Sequence, residues 1–140
     1  MSIEMTLPII TADDAAPLFR AAMERVAGKE AIFVLPLDAE GRKITNPTLV
    51  AFGAEKTVAC EPKTIFRAVF NANAESFIVA HNHPGGNPTP SRADLDMTRK
   101  LIAGAELLGV KLLDHLVLGS PECEEGRGFV SIFEKLEEVG

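Results

Sequence analysis

The chain has 140 residues, of which 46% are apolar and 24% charged, which suits one globular domain able to bury a sizeable core. A formal net charge of −6 argues against broad binding to nucleic acid or to anionic membrane, both of which call for a basic face. The two cysteines, Cys60 and Cys123, are too few and too far apart for a disulfide framework or a cysteine-based zinc site. No apolar run approaches the roughly 20 residues that span a bilayer. The segment MSIEMTLPIITADD lacks the basic and apolar regions of a signal peptide. Together these features lead to the expectation of a soluble, cytoplasmic protein in a reduced setting.

The first helix signal is TADDAAPLFRAAMERVAGK, with Thr11 or Asp13 to cap it, acidic residues in its first turn and Gly28 to end it. Leu18, Ala22 and Val26 are spaced as its apolar face, with Phe19 and Met23 beside them. AIFVLPL, residues 31–37, reads as a strand buried on both faces, and Pro36 suggests a sheet edge or a bulge near its end. Asp38 to Gly41 is turn chemistry that leads into a second strand around 43–52. Pro62 fits the first turn of a helix reaching about Asn73, with Ile65, Phe66, Val69 and Phe70 as its buried stripe.

SFIVA, residues 76–80, is a short strand that runs into AHNHPGGNPTPSRAD. A long helix follows from about Arg92 to Leu108, carrying Leu95, Thr98, Leu101, Ile102, Ala105 and Leu108 on one side and closed by Gly109. KLLDHLVLG, residues 111–119, is a further strand, and GFVSIFEKL, residues 128–136, is a strand or a closing helix. The order α-β-β-α-β-α-β predicts a single α/β domain over 1–140, a mixed sheet packed with helices.

His81 and His83 follow a strand and precede Pro84, which favours extended chain, so both imidazoles point to one side. Such a pair can serve one Zn²⁺, and Asp94, in the first turn of the next helix, is placed to be the third ligand. The loop between them, PGGNPTP, must fold back; its prolines lower the entropy lost on ordering and its glycines allow tight turns. Two His and one Asp would leave a fourth position for water, as in a catalytic zinc site. A bland alternative stands beside this: Ser91-x-x-Asp94 is also the outline of a helix capping box. The conjunction of strand end, His-x-His, stiff loop and helix start favours the metal, because an ordinary turn needs no histidine.

H-x-H, seven residues, then S-x-x-D is the JAMM signature of the JAB/MPN metalloproteases, and His81, His83, Ser91 and Asp94 fall on it. The wording HNHPGGNPTPSRADLDMTRKL most resembles the RadC-like branch, with HNHPSG-x-P-x-PS-x-x-D and T-x-x-L, and the likeness extends over roughly residues 28–120. The resemblance implies a cytidine-deaminase-like α/β/α sandwich and one Zn²⁺ per chain held by His81, His83 and Asp94. It also implies a glutamate as general acid/base; Glu30, just before the apolar strand that ends in Leu37-Asp38, takes that place better than Glu55, Glu61 or Glu75. The implied reaction is hydrolysis of a peptide or isopeptide amide by a metal-activated water, with Ser91 donating to the oxyanion in competition with its capping role.

The sequence departs from the branch at Gly85, where a serine is usual, and it lacks the helix-hairpin-helix segment of longer RadC-like proteins. From the second departure follows the expectation of a peptide or protein substrate rather than DNA. A metal-dependent nuclease or DNA-repair accessory of RadC type is the alternative reading, and a non-catalytic metal-binding scaffold a third. A homodimer is compatible with the sequence. Asp114-His115 reads first as a satisfied core pair, with an orienting contact to a ligand as the alternative. Cys60 and Cys123 read as ordinary core or surface residues. The H-x-E and P-C-x-x-C pattern of zinc deaminases is missing, so the expected fold does not bring deaminase chemistry.

Overall fold

Thr11 starts the first helix by a reciprocal cap: its side chain accepts from the Asp14 N–H, and the Asp14 carboxylate accepts from the Thr11 N–H at 2.8 Å. The computed structural model describes residues 7–9, 11–26, 28–53 and 60–139. In it this cap opens α1 (Ala12–Met23), which tightens into a 3₁₀ turn over Glu24–Val26. The buried row is Ala15, Phe19 and Met23, one residue round from the face expected at Leu18, Ala22 and Val26, which are only partly buried. Val26 sits in the 3₁₀ turn, where the 3.6-residue row no longer holds.

Five strands form one sheet in the order β2-β1-β3-β4-β5: β1 (Glu30–Leu37), β2 (Thr48–Gly53), β3 (Ser76–Asn82), β4 (Lys111–Leu118) and β5 (Phe129–Ser131). β1 pairs antiparallel with both β2 and β3, β3 and β4 run parallel, and β5 returns antiparallel to β4. β1 is therefore interior, and Pro36 marks neither an edge nor a bulge. The Pro36 carbonyl accepts from the Ile44 N–H at 2.9 Å, so its nitrogen faces the side where β2 no longer pairs and no ladder bond to β3 is lost. The irregularity in the β1–β2 ladder lies instead at Ile32/Phe33.

The turn after β1 forms as expected, with the Asp38 carboxylate accepting from the N–H groups of Glu40 and Arg42. The returning strand is shorter than the expected 43–52: a single bridge joins Leu37 to Lys43, and pairing resumes only after Pro47, which has no N–H to offer. The C-terminal segment resolves into both alternatives, a three-residue β5 followed by α4 (Ile132–Val139).

α1 covers one face of the sheet, packing on Phe33, Leu35, Leu37, Ile78, Leu116 and Phe129. α2 (Pro62–Asn71) and α3 (Arg92–Leu108) cover the other, where Ile65, Phe66, Val69, Leu101 and Ala105 meet Val34, Phe77, Val79 and Leu112. The result is the α/β/α sandwich with a mixed sheet. Phe70 does not join the α2 stripe and is 48% exposed, since it lies roughly a quarter turn from the centre of Ile65, Phe66 and Val69. Ile102 and Leu108 likewise turn outward from α3. Among the described residues, no helix is long and apolar enough to cross a membrane.

Candidate metal centre

β3 alternates its side chains, so Phe77, Val79 and His81 share the face covered by α2 and α3. β3 ends at Asn82, and the His83 N–H continues its pairing with β4 by donating to the Leu118 carbonyl at 2.8 Å. The parallel β3–α3–β4 unit thus brings His81, His83 and the first turn of α3 together at the carboxyl end of the strands, the usual place for a site in such units.

The ligand set expected from the sequence converges. His81 Nε2 lies 3.2 Å from Asp94 Oδ1, His83 Nε2 lies 3.4 Å from Asp94 Oδ2, and the two Nε2 atoms are 3.2 Å apart. Tetrahedral ligands at zinc bonds of about 2.0–2.1 Å stand about 3.3–3.4 Å from one another. The three side chains therefore have the donor types of a Zn²⁺ site and contacts close to its ligand spacing, reached through the two Asp94 oxygens, and they are the group among the described residues that could hold a metal ion.

Asp94 also completes a capping box, and the cap coexists with its position facing the two histidines. Ser91 Oγ accepts from the Asp94 N–H at 3.1 Å, and Asp94 Oδ2 accepts from the Ser91 N–H at 2.8 Å. The cap orients the carboxylate toward the histidines. It uses the Ser91 oxygen as an acceptor only and leaves the hydroxyl hydrogen for another group, so capping and oxyanion donation do not compete as expected. Burial pushes the Asp94 carboxyl up, but the facing His81 and His83 rings and the Ser91 N–H outweigh it and hold the group well below the carboxylate range. The Asp94 carboxylate favours the protonated His83 ring and raises its pKa, and burial only partly opposes this.

Each imidazole is held from behind. His83 Nδ1 donates to the Asn87 carbonyl at 2.9 Å, so in the neutral ring Nε2 is the nitrogen left to bind a metal. Asn87 is fixed in turn by an Asx turn that accepts from the Thr89 N–H and hydroxyl. The loop rests on the end of β4: Ser120 N–H donates to the Gly86 carbonyl, and a Cβ at Gly119 would stand 2.3 Å from that oxygen. Gly85 needs no such space, since a Cβ there meets nothing within 4 Å; the usual serine would fit without moving the loop. His81 Nδ1 faces His115 Nε2 at 2.9 Å, and His115 Nδ1 faces Thr98 Oγ1 at 2.6 Å.

The Asp114-His115 pair divides between two tasks. Asp114 accepts from the Ser131 hydroxyl and from the N–H groups of His115 and Phe133, tying β4 to the start of α4; burial raises its pKa. His115 is the buried, satisfied histidine that the sequence favoured, with both ring nitrogens in contact, and one of those contacts is to His81.

Glu30 opens β1, two residues before Ile32, which pairs with His81 across the antiparallel ladder. Its side chain thus shares a face with His81, and it lines a cleft of about 590 Å³ with His81, His83, Ser91 and Asp94. Burial raises the Glu30 pKa, with the two histidines opposing and Asp94 reinforcing it. Ile32, Ile65, Val79 and Met97 form the apolar wall of the cleft, and Cys60 stands on it as well. Glu61 pairs with Lys63 at the exposed start of α2, Glu75 is exposed, and Glu55 lies outside the described residues.

Sequence reasoning missed Asn82. Its side chain accepts from the Ala31 N–H at 2.8 Å and donates to the Lys29 carbonyl at 2.9 Å, gripping the backbone on both sides of Glu30. A residue between two histidines gives no such signal by spacing alone. Thr98 was legible only as part of the T-x-x-L wording and as a buried helix position.

The profile of the RadC-like JAB domain matches residues 9–135. The chain belongs to the RadC-like JAB domain family. Curated relatives of this RadC-like domain include the UPF0758 protein alr2351 of Nostoc, 46% identical over 105 residues, which are 75% of this chain and 43% of that protein. The UPF0758 protein YsxA of Bacillus subtilis is 38% identical over 123 residues, 88% of this chain and 50% of that protein. The UPF0758 protein tlr1707 of Thermosynechococcus vestitus is 36% identical over 122 residues, 87% of this chain and 46% of its own. This RadC-like chain spans about half the length of the curated relatives it matches.

Proposed function

We propose that the domain is a zinc-dependent hydrolase that cleaves a peptide or isopeptide amide. One observation carries the reading: a three-ligand group, the raised-pKa Glu30 and the Ser91 hydroxyl line one cleft. His81, His83 and Asp94 would hold the metal. Zinc, when bound, supplies Lewis acidity that polarises a carbonyl and acidifies water. Glu30, with its pKa raised by burial, takes a proton from the attacking water and returns it to the leaving amine. Ser91 donates its O–H to the oxygen that gains charge as the carbonyl carbon becomes tetrahedral. The apolar wall at Ile32, Ile65, Val79 and Met97 keeps this exchange away from bulk water. The net charge of −6 disfavours the nuclease alternative, since neutralising a phosphate backbone needs cationic side chains.

The test is a screen of peptides and ε-linked isopeptides with zinc-loaded wild type and Glu30→Gln. Wild type should cleave and lose activity to a chelator, while Glu30→Gln keeps its zinc and loses about 10²–10⁴ in rate. A nuclease activity in place of amide cleavage, or full activity in Glu30→Gln, would overturn the assignment.

A further inference from the structure

We infer that His115 and Thr98 are positioning residues that set the tautomer of His81, so that its Nε2 lone pair is presented to the metal. The inference rests on the reading of His81, His83 and Asp94 as a zinc site. It comes from counting hydrogens along a chain of three contacts.

Thr98 Oγ1 lies 2.8 Å from the Asp94 main-chain carbonyl, one turn back on α3, and 2.6 Å from His115 Nδ1. A carbonyl only accepts, so the single hydroxyl hydrogen of Thr98 goes to Asp94. The contact with His115 is then a hydrogen bond only if Nδ1–H donates to Thr98. A buried, neutral imidazole has one N–H, so His115 Nε2 is left as an acceptor. The atom 2.9 Å from it is His81 Nδ1, which must donate. His81 then carries its proton on Nδ1 and keeps Nε2 bare, facing Asp94 Oδ1 at 3.2 Å. Reversing the His115 ring proton would break this sequence at Thr98.

The fold builds this contact into one strand. Along β4 the register with β3 slips between Phe77/Leu112 and Ile78/Asp114, leaving Leu113 as an extra residue. The slip re-aims the remainder of β4, so His115 pairs with Val79 and shares its face with His81. His83 receives the equivalent service from a main-chain carbonyl, and His81 receives it from a side-chain relay that also touches Asp94 through its carbonyl. A relay of this kind orients the ligand ring and raises its basicity.

The chain has only three histidines, which makes the tautomers separable by long-range ¹H–¹⁵N correlation of the imidazole rings. In chelator-treated wild type above the ordinary histidine pKa of about 6.5, His81 and His115 should both carry the proton on Nδ1. Thr98→Val, which keeps the shape and removes the hydroxyl, should release the His115 tautomer and weaken zinc binding about 10–100-fold in chelator competition. Thr98→Ser should restore both the spectrum and the affinity, which a loss of packing would not. A His81 proton on Nε2 in the metal-free wild type overturns the relay, as does zinc affinity in folded Thr98→Val equal to wild type. Wild type that binds no zinc overturns the metal reading instead, and the spectrum then shows separately whether the relay exists.

Discussion

Asp94 and Ser91 show how much one residue pair can carry. The Asp94 carboxylate caps a helix with one oxygen and faces both histidines, and the Ser91 oxygen accepts while its hydrogen is left for the cleft. Ser91→Ala should therefore lose about 1 kcal/mol of stability in urea unfolding and, separately, about 10²–10³ in kcat. A loss of stability with unchanged kcat would confine Ser91 to the cap. The metal-free pair has a pH signature whose sign is fixed by two opposite shifts. Asp94 is held below its ordinary value of about 3.9, so its contribution is present above that pH and is lost as pH falls through the lower folded value. His83 is raised, so its contribution is full below about 6.5 and is lost as pH rises through the higher folded value. The stability difference between chelator-treated wild type and Asp94→Asn should peak between about pH 4 and 6.5. A difference that stays flat from pH 3 to 9 would contradict the pairing.

At the scale of elements, the site is a strand end, a loop and a helix start locked onto a neighbouring strand. Much of this was legible: Pro84 and the extended geometry of β3 place both imidazoles on one side, and the S-x-x-D spacing sets Asp94 at the first turn of α3. What sequence patterning could not show was the register. The extra residue at Leu113 changes which face His115 occupies, and strict alternation along KLLDHLVL would put it opposite Leu112. Pro36 misled for a similar reason, since its effect depends on which side its nitrogen faces and not on its presence in the strand. The β4 end holds the loop through Gly119, where any Cβ would meet the Gly86 carbonyl at 2.3 Å. Gly119→Ala should push the loop off, loosen the Asn87 carbonyl behind His83 and lower zinc affinity, read by chelator competition. Gly85→Ser, which meets no neighbour, should leave that affinity unchanged. Equal affinities in wild type and a folded Gly119→Ala would show that the loop is not what sets His83.

At the scale of the molecule, a mixed sheet between α1 and the pair α2 and α3 supplies the floor on which Glu30 from one strand meets His81 from another. Glu30 and His81 are some fifty residues apart in sequence and are joined only by the β1–β3 ladder, so periodicity alone gave no reason to pair them; the family resemblance did. Asn82 makes that junction firmer by holding the backbone around Glu30 from within the ligand pair itself. Because three buried or half-buried groups converge on one point, bound metal should stabilise the whole domain, by about 2.7 kcal/mol at a free zinc concentration 100 times the Kd. The most direct test of the account is the metal content of the purified chain, measured together with its melting temperature before and after chelation. Wild type should hold about one zinc per chain and lose thermal stability when it is removed, and the double variant His81→Ala, His83→Ala should hold none and ignore the chelator. A folded wild type that takes up no zinc, or a double variant that binds it as tightly as wild type, would contradict the assignment of the centre.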